Sequence, residues 1–199
     1  MIPAQEALAR LRDGNRRFVD NGAGSGGRPG PGQQPFAIVL GCSDSRVPAE
    51  LIFGQGFGDL FVIRVAGNIV APSQVGSVEF AAERFETRLA VVMGHTQCGA
   101  VAATLEELRR PQGYESPNLR AIVDRIRPVI EPLLNSPLAN DPVALAAEAT
   151  RANVRASVHH LRHGSALLER RIERDGLMIV GAEYCVETGV VEFFDGPDD

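Results

Sequence analysis

The sequence predicts an α/β fold, with a mostly parallel β-sheet of four strands plus a short extra strand, flanked by helices, and an N-terminal helical arm. Two observations predict it. Short continuous apolar runs, typical of parallel strands buried on both faces, recur along the chain. Between them lie segments whose apolar residues recur at helical spacing. The runs are FAIVLG (36–41), LFVIRV (60–65), LAVVMG (89–94) and LMIVGAEY (177–184).

The first predicted element is an amphipathic helix over residues 4–20, where apolar residues recur at helical spacing between charged ones. Residues 21–34 (NGAGSGGRPGPGQQ) are dominated by glycine and proline, which predicts a flexible connection. We therefore divide the chain into an N-terminal helix and linker, residues 1–34, and an α/β domain, residues 35–199.

The later elements follow the same pattern. A helix is predicted over 74–87, between the second and third apolar runs. The segment 117–175 is helical in composition but contains Pro128 and Pro132, which predict a kinked or divided helix. A short extra strand is predicted at 190–194.

Composition limits the possible functions. The chain has 199 residues, with 25 Asp and Glu against 20 Lys and Arg, and this acidic balance argues against nucleic acid or an anionic membrane as partner. No apolar run reaches the roughly 18 residues of a membrane span, and the first residues lack the pattern of a signal peptide, so we expect a cytoplasmic location. Three widely spaced cysteines indicate reduced thiols rather than a disulfide framework.

Two clusters of possible metal ligands follow apolar runs directly. GCSDSR (41–46) follows the first run and GHTQCG (94–99) follows the third. In open α/β sheets, binding sites form beyond the carboxyl ends of strands. The two clusters therefore converge if their strands are neighbours, which the sequence alone does not establish.

If the clusters converge, Cys42, His95 and Cys98 provide two thiolates and an imidazole, a ligand set that zinc accepts. A fourth position then remains for water or for Asp44. Taken singly, each cysteine is more typical of a buried core residue than of a ligand. The paired placement after two buried strands favours the metal site.

Asp44 and Arg46 have two interpretations. They are an ion pair that shapes a turn, or Arg46 clamps the Asp44 carboxylate and keeps it off the metal. In the second case Asp44 accepts a hydrogen bond from the metal-bound water or hydroxide and orients it. Without the clamp, Asp44 would itself become a zinc ligand and close the site.

These motifs resemble those of the β-class carbonic anhydrases. The family's paired signature, Cys-x-Asp-x-Arg and His-x-x-Cys, is matched here by Cys42, Asp44, Arg46, His95 and Cys98. The likeness runs from about Gln33 to Tyr184 and includes PAELIFG, LFVIRVAGN, SVEFA and GHTQCGA.

The resemblance implies a zinc enzyme that interconverts carbon dioxide and bicarbonate, releasing a proton, through attack of zinc-bound hydroxide. It also implies a homodimer or a dimer of dimers, with sites near the interface. Asp44 and Arg46 become catalytic residues, and a small substrate pocket is implied. That pocket is matched by Gln33, Phe61, Ala66, Gly99 and Phe80 of the partner subunit. From the residues alone, Phe61 and Phe80 fit an ordinary core equally well.

The sequence departs from the family at one place. Some bacterial members have an inhibitory bicarbonate site built from a Trp three residues before the first cysteine ligand, an Arg and a Tyr. Val39 stands at the Trp position, whereas Arg64 and Tyr184 match the other two. One of the three elements of that site is therefore missing.

Two alternatives remain open. A carbon disulfide or carbonyl sulfide hydrolase resembles this family in fold and ligands and differs in access to the pocket. A non-catalytic zinc or thiol sensor, in which Asp44 permanently closes the metal and Cys98 responds to oxidants, belongs to another class.

Overall fold

The computed structural model describes residues 2–20, 30–111, 113 and 116–196. The helices are α1 (Ala4–Asp20), α2 (Ala49–Ile52), α3 (Pro72–Arg84), α4 (Gly99–Arg109), α5 (Pro117–Ile130), α6 (Pro142–His163) and α7 (Ala166–Asp175). The strands are β1 (Ala37–Gly41), β2 (Leu60–Arg64), β3 (Leu89–His95), β4 (Met178–Tyr184) and β5 (Val191–Phe194). Short 3₁₀ turns lie at Ala66–Asn68, Glu131–Asn135 and Pro137–Asn140.

The strands form one sheet in the order β2-β1-β3-β4-β5. β1 pairs in parallel with both β2 and β3, β3 pairs in parallel with β4, and β5 runs antiparallel to β4. The predicted α/β class, with its four parallel strands and short extra strand, is confirmed. The order also answers the question that the sequence left open, because the strands preceding the two ligand clusters are neighbours.

Alternate residues of the strands face opposite layers. On β1, Ile38 and Leu40 pack into the core beneath α3, α6 and α7, whereas Val39 faces the layer that contains the one-turn helix α2. Each of these side chains is almost fully buried, which contributes about 1.5–3 kcal/mol per residue. A third cluster, at the carboxyl ends of the strands, joins α4, α5 and the start of α6.

The segment after residue 117 is divided, as its prolines predict. α5 accommodates Pro128 and ends at Ile130, and the chain then passes through the two 3₁₀ turns that begin at Glu131 and Pro137. The Asp141 side chain caps α6 by accepting hydrogen bonds from the next backbone N–H groups at 3.0 and 3.1 Å. After this division α6 packs across one face of the sheet, and its Asn153 side chain donates to the Gly67 carbonyl oxygen at 2.8 Å.

The N-terminal helix forms where the sequence predicts it, but none of its residues is buried. Its apolar stripe meets the rest of the chain at Phe18, whose ring lies edge-on to Phe57 at 6.1 Å. Residues 21–29 of the predicted linker lie outside the described residues, and 30–34 contain neither helix nor strand. The division at residue 34 stays a prediction. In the part of the chain described, no helix has the length and hydropathy needed to span a membrane.

Candidate metal centre

The carboxyl ends of β1 and β3 bring Cys42, His95 and Cys98 together. The two sulfurs and an imidazole nitrogen lie within 4.8 Å of one another. All three side chains are buried, at 5%, 0% and 4% exposure. Cys42 follows β1, His95 ends β3, and Cys98 is the residue before the first turn of α4. The strand order therefore brings Cys42 to His95 and Cys98, which lie more than fifty positions later in the chain.

Backbone geometry holds the Cys42 sulfur. The Gly67 N–H donates to Cys42 Sγ at 3.3 Å. Gly67 has a φ of 67°, and a Cβ there would lie 2.9 Å from both Ala100 and Ile126 side-chain atoms. Only glycine meets both conditions without strain, so this turn requires glycine for its close approach to the ligand.

The His95 ring is oriented by the backbone. Its Nδ1 lies 2.9 Å from the Thr96 carbonyl oxygen. A carbonyl oxygen can only accept, so Nδ1 carries the proton and Nε2 presents a lone pair. Nε2 is buried and has no hydrogen-bond partner among the described residues. A buried imidazole nitrogen that presents its lone pair to the two sulfurs, with no donor facing it, is suited to bind a metal ion.

The two thiols influence each other strongly. The hydrogen bond with Cys98 lowers the pKa of Cys42, and the same interaction raises the pKa of Cys98, because a second negative charge is unfavourable beside the first. A divalent cation between the sulfurs stabilises both thiolates. Two sulfurs and one imidazole nitrogen are ligands that zinc accepts, so these residues fit the ion.

Asp44 lies beside this group and is bound to Arg46. Arg46 Nε donates to Asp44 Oδ1 at 3.0 Å, Nη2 donates to Oδ2 at 2.8 Å, and the Arg46 backbone N–H donates to Oδ1 at 2.9 Å. These bonds hold the pKa of Asp44 well below its usual range. The carboxylate is therefore ionised and engaged by Arg46 on both oxygens.

Arg64 and Gln97 take part in a way that the sequence did not indicate. Arg64 donates to the carbonyl oxygens of Cys42 and Asp44, at 3.0 and 2.5 Å, and so holds the loop that follows β1. Gln97 accepts from Arg46 through its side-chain and backbone oxygens. Arg64 is the last residue of β2, and Gln97 lies between His95 and Cys98 in the sequence. These positions, next to the metal centre, were the signal in the sequence that could have identified both residues.

The residues of the predicted substrate pocket fall into two places. Ala66 precedes Gly67 and Gly99 follows Cys98, so both lie beside the metal centre. The other pocket residues, Gln33, Phe61 and Phe80, lie elsewhere.

Phe61 pairs in register with Ile38, four residues before Cys42 and hence about 13 Å away along the strand. Its ring lies 6.1 Å from Phe80 and 6.0 Å from Phe85. Gln33 is exposed and precedes β1, at the same amino end of the sheet. Within one chain these residues do not line the metal centre.

Thiol, imidazole and carboxylate groups gathered at the carboxyl ends of parallel strands are typical of a metal-dependent α/β enzyme.

The comparisons with known proteins agree with this class. Residues 37–191 match the family model described as carbonic anhydrase. Carbonic anhydrase 2 of Mycobacterium tuberculosis is 36% identical, with 92% of this chain and 89% of that protein covered. The carbonic anhydrase of Mycolicibacterium smegmatis is 37% identical, covering 94% and 91%.

Solved structures agree with the sequence relatives. The β-carbonic anhydrase CafA of Aspergillus fumigatus superposes with a TM-score of 0.77 at 25% identity, covering 96% of this chain and 90% of that one. A β-carbonic anhydrase of Sordaria macrospora, described as tetrameric, has the same fold, with a TM-score of 0.73 at 24% identity and coverage of 96% and 93%. The chain belongs to the β-class carbonic anhydrases, a family of enzymes.

Proposed function

We propose that this chain is a zinc-dependent carbonate dehydratase that catalyses the reversible hydration of carbon dioxide to bicarbonate and a proton. The observation that carries the proposal is the buried group of Cys42, His95 and Cys98, with His95 Nε2 lacking a partner among the described residues. Membership of the carbonic anhydrase family supports the reaction, and the donor set supports zinc.

Cys42, His95 and Cys98 would hold the ion through three protein ligands and leave a fourth position open, the pattern of a catalytic zinc site. When bound there, zinc supplies a water nucleophile by lowering its pKa toward neutrality. Because Cys42 and Cys98 contribute two negative charges, they hold that pKa higher than three neutral imidazoles do. We therefore expect activity to rise with pH.

Asp44 and Arg46 are the proposed catalytic pair. Arg46 keeps the Asp44 carboxylate ionised and turned toward itself, which leaves the fourth position on the metal free. The carboxylate can then accept a hydrogen bond from the nucleophile and orient its lone pair toward the carbon atom of the substrate. Asp44 would serve as a metal ligand only after release from Arg46.

The substrate wall requires a second chain in this proposal. Carbon dioxide is small and uncharged, so an apolar wall suits it, and Ala66 contributes to that wall within the chain. Phe80 is 53% exposed and lies at the amino end of the sheet. We therefore assign the remaining wall to Phe80 of the partner subunit, in a homodimer or a dimer of dimers. The tetrameric relative from Sordaria macrospora has the same fold.

A cytoplasmic location stays a prediction from the sequence.

The test combines metal analysis with stopped-flow kinetics. The purified chain should contain about one zinc per chain and should hydrate carbon dioxide, followed with a pH indicator, at a rate that increases from neutral to alkaline pH. The same preparation is offered carbonyl sulfide and carbon disulfide. Hydrolysis of either without carbon dioxide hydration overturns the assignment in favour of that hydrolase. Bound zinc without any turnover up to alkaline pH overturns it in favour of a sensor.

A further inference from the structure

A chain of contacts leads from the Asp44–Arg46 pair to the hairpin that joins β4 to β5. Arg46 Nη1 donates to Gln97 Oε1 at 3.2 Å, and Arg46 Nη2 donates to the Gln97 carbonyl oxygen at 3.3 Å. Gln97 Nε2 in turn donates to Glu187 Oε1 at 2.5 Å. Arg46 is therefore held from two sides, by the carboxylate that it clamps and by Gln97.

The orientation of the Gln97 amide follows from its two neighbours. The Arg46 guanidinium can only donate, and the Glu187 carboxylate oxygen accepts from the Gln97 amide nitrogen. The amide therefore turns its oxygen to Arg46 and its nitrogen to Glu187, and the opposite orientation would face donor to donor and acceptor to acceptor. Glu187 thus determines which end of the amide Arg46 meets.

The backbone at Gln97 is unusual for this residue type. Its φ is +59°, in the left-handed region where residues with a side chain are disfavoured by about 1 kcal/mol or more relative to glycine. A glutamine at this position is costly for the local backbone. Its contacts with Arg46 and Glu187 offset that cost.

The hairpin that carries Glu187 is fixed to the ligand loop without help from Gln97. Thr96 N–H donates to the Tyr184 carbonyl oxygen at 2.9 Å, and Val186 N–H donates to Thr96 Oγ1 at 3.0 Å. The turn closes through Gly189 N–H and the Cys185 carbonyl oxygen at 2.8 Å. Glu187 is thus presented at a set place beside the metal centre.

We propose that Gln97 is a positioning residue for the Asp44–Arg46 pair and that Glu187 acts through it by fixing the orientation of its amide. The two residues keep the Arg46 guanidinium on Asp44 and so keep the carboxylate directed away from the metal ligands. This inference rests on the proposed catalytic role of the Asp44–Arg46 pair. It assigns a function to a hairpin that lies outside both signature motifs.

The main test is Gln97→Gly, which removes the side chain and also the backbone cost. The fold should be as stable as that of the native chain or more stable, so loss of structure cannot explain a kinetic effect. We expect kcat for carbon dioxide hydration to fall about tenfold, the lower end for outer partners of a metal site, with KM unchanged. KM should not change because carbon dioxide meets the apolar wall rather than Arg46.

A second readout follows Arg46 directly. In ¹⁵N NMR spectra of the protein, with and without zinc, exchange of the Arg46 Nε proton with water should be faster in Gln97→Gly than in the native chain, because the guanidinium leaves Asp44 more often. This measurement does not depend on turnover. It therefore tests the positioning role even if the chain fails to hydrate carbon dioxide.

Two variants at position 187 complete the experiment, with an exposed acidic residue on α7 as control. Glu187→Ala should lower kcat and speed exchange of the Arg46 Nε proton, each by less than Gln97→Gly does, because the Gln97 amide can then turn its nitrogen toward Arg46. Glu187→Gln keeps an acceptor oxygen and should restore both readouts toward native values, and the control Glu173→Ala should change neither. Native kcat and native Arg46 exchange in Gln97→Gly overturn the proposal. A lower kcat with unchanged exchange also overturns it, as does a Glu187→Gln variant no better than Glu187→Ala.

Discussion

The two ends of the sheet differ in how complete they are within one chain. At the carboxyl end, neighbouring strands bring together Cys42, His95 and Cys98, and Asp44 is already engaged by Arg46. At the amino end, Phe61, Phe80 and Phe85 pack against one another, and Phe80 remains 53% exposed to solvent. The carboxyl end holds all three proposed metal ligands within one chain, whereas the amino end is an apolar surface with one side exposed to solvent.

This difference separates features that one chain forms by itself from features that need a second chain. Ligand geometry depends on strand order, which the chain determines by itself. The rest of the proposed substrate wall depends on association, because Phe61, whose ring packs against Phe80, lies about 13 Å from Cys42 along the strand direction. Three experiments test this contrast, with the largest effects expected at the proposed ligands and at Asp44, and a fourth tests an ion pair outside the site.

The largest effect is expected for Cys98→Ser. Loss of one of three ligands should lower both zinc content and carbon dioxide hydration, the latter by more than about a hundredfold, since even outer partners of a metal site cost about 10–100-fold. Metal analysis and stopped-flow kinetics measure the two quantities. Cys185→Ser is the matched control, because that sulfur lies outside the ligand group and the serine hydroxyl can keep the hydrogen bond to Glu187. Full zinc content and activity in Cys98→Ser would show that the carboxyl end is not the metal centre.

Asp44→Asn should come next. The amide keeps the size of the side chain but loses the charge and one of the two acceptor positions that Arg46 uses. We expect kcat to fall about a hundredfold, as for loss of a positioned acid–base group, with zinc retained. Asp124→Asn, an exposed change on α5, should leave kcat unaltered. A native kcat in Asp44→Asn would show that the Asp44–Arg46 ion pair only shapes the turn and has no catalytic role.

Phe80→Asp tests the uncovered end. A charge in the centre of an apolar contact should dissociate the proposed dimer, which sedimentation equilibrium detects, and should lower activity about tenfold, equivalent to ~1.4 kcal/mol of transition-state binding. Leu119→Asp is matched in exposure, at 54% against 53%, and should do neither. If Phe80→Asp has no effect on mass or rate, the wall is complete within a single chain.

The smallest effect is expected for Glu192→Gln in the hairpin. Arg151 donates to both Glu192 oxygens, at 2.9 and 3.0 Å, and lowers the pKa of that carboxyl. A depressed pKa contributes stability above the unfolded-state value of about 4.3 and loses it as pH falls through the folded-state value. Glu192 is exposed, so the difference in unfolding free energy should be small.

Urea denaturation of the native chain and Glu192→Gln, at pH 7 and below pH 4, measures this difference. It should be present at pH 7 and vanish in acid, while Glu173→Gln on α7 shows none at either pH. A difference that grows on acidification would contradict the assigned sign.

The fold and the ligand group were largely predictable from the sequence, for a physical reason. A strand buried on both faces must be apolar throughout, so polar ligands directly after it, such as Cys42 and His95, stand out. That β1 lies next to β3, with β2 at the edge, could not be read from the sequence, since it depends on how the connections cross the sheet. The predicted division of the segment is confirmed at Pro132, just after the end of α5, whereas Pro128 lies within that helix.

Contacts between distant loops were the part that sequence reasoning missed. Gln97 and Glu187 are 90 residues apart, and their contact exists only because β4 ends beside β3. The family resemblance matches Arg64 to one element of an inhibitory bicarbonate site, whereas the structure shows Arg64 donating to the carbonyl oxygens of Cys42 and Asp44 in the loop after β1. Such bonds to backbone oxygens leave no trace in residue spacing.

The position of Cys42 and His95 at the ends of β1 and β3 has a consequence for the lifetime of a bound ion. These strands have partners on both sides, and the interior of a sheet opens only in the rarest fluctuations of a native protein. An ion held between their ends is anchored to the slowest-opening part of the molecule. The metal should therefore survive many cycles of opening at the rim, such as fraying of α1, and should leave on the timescale of global unfolding.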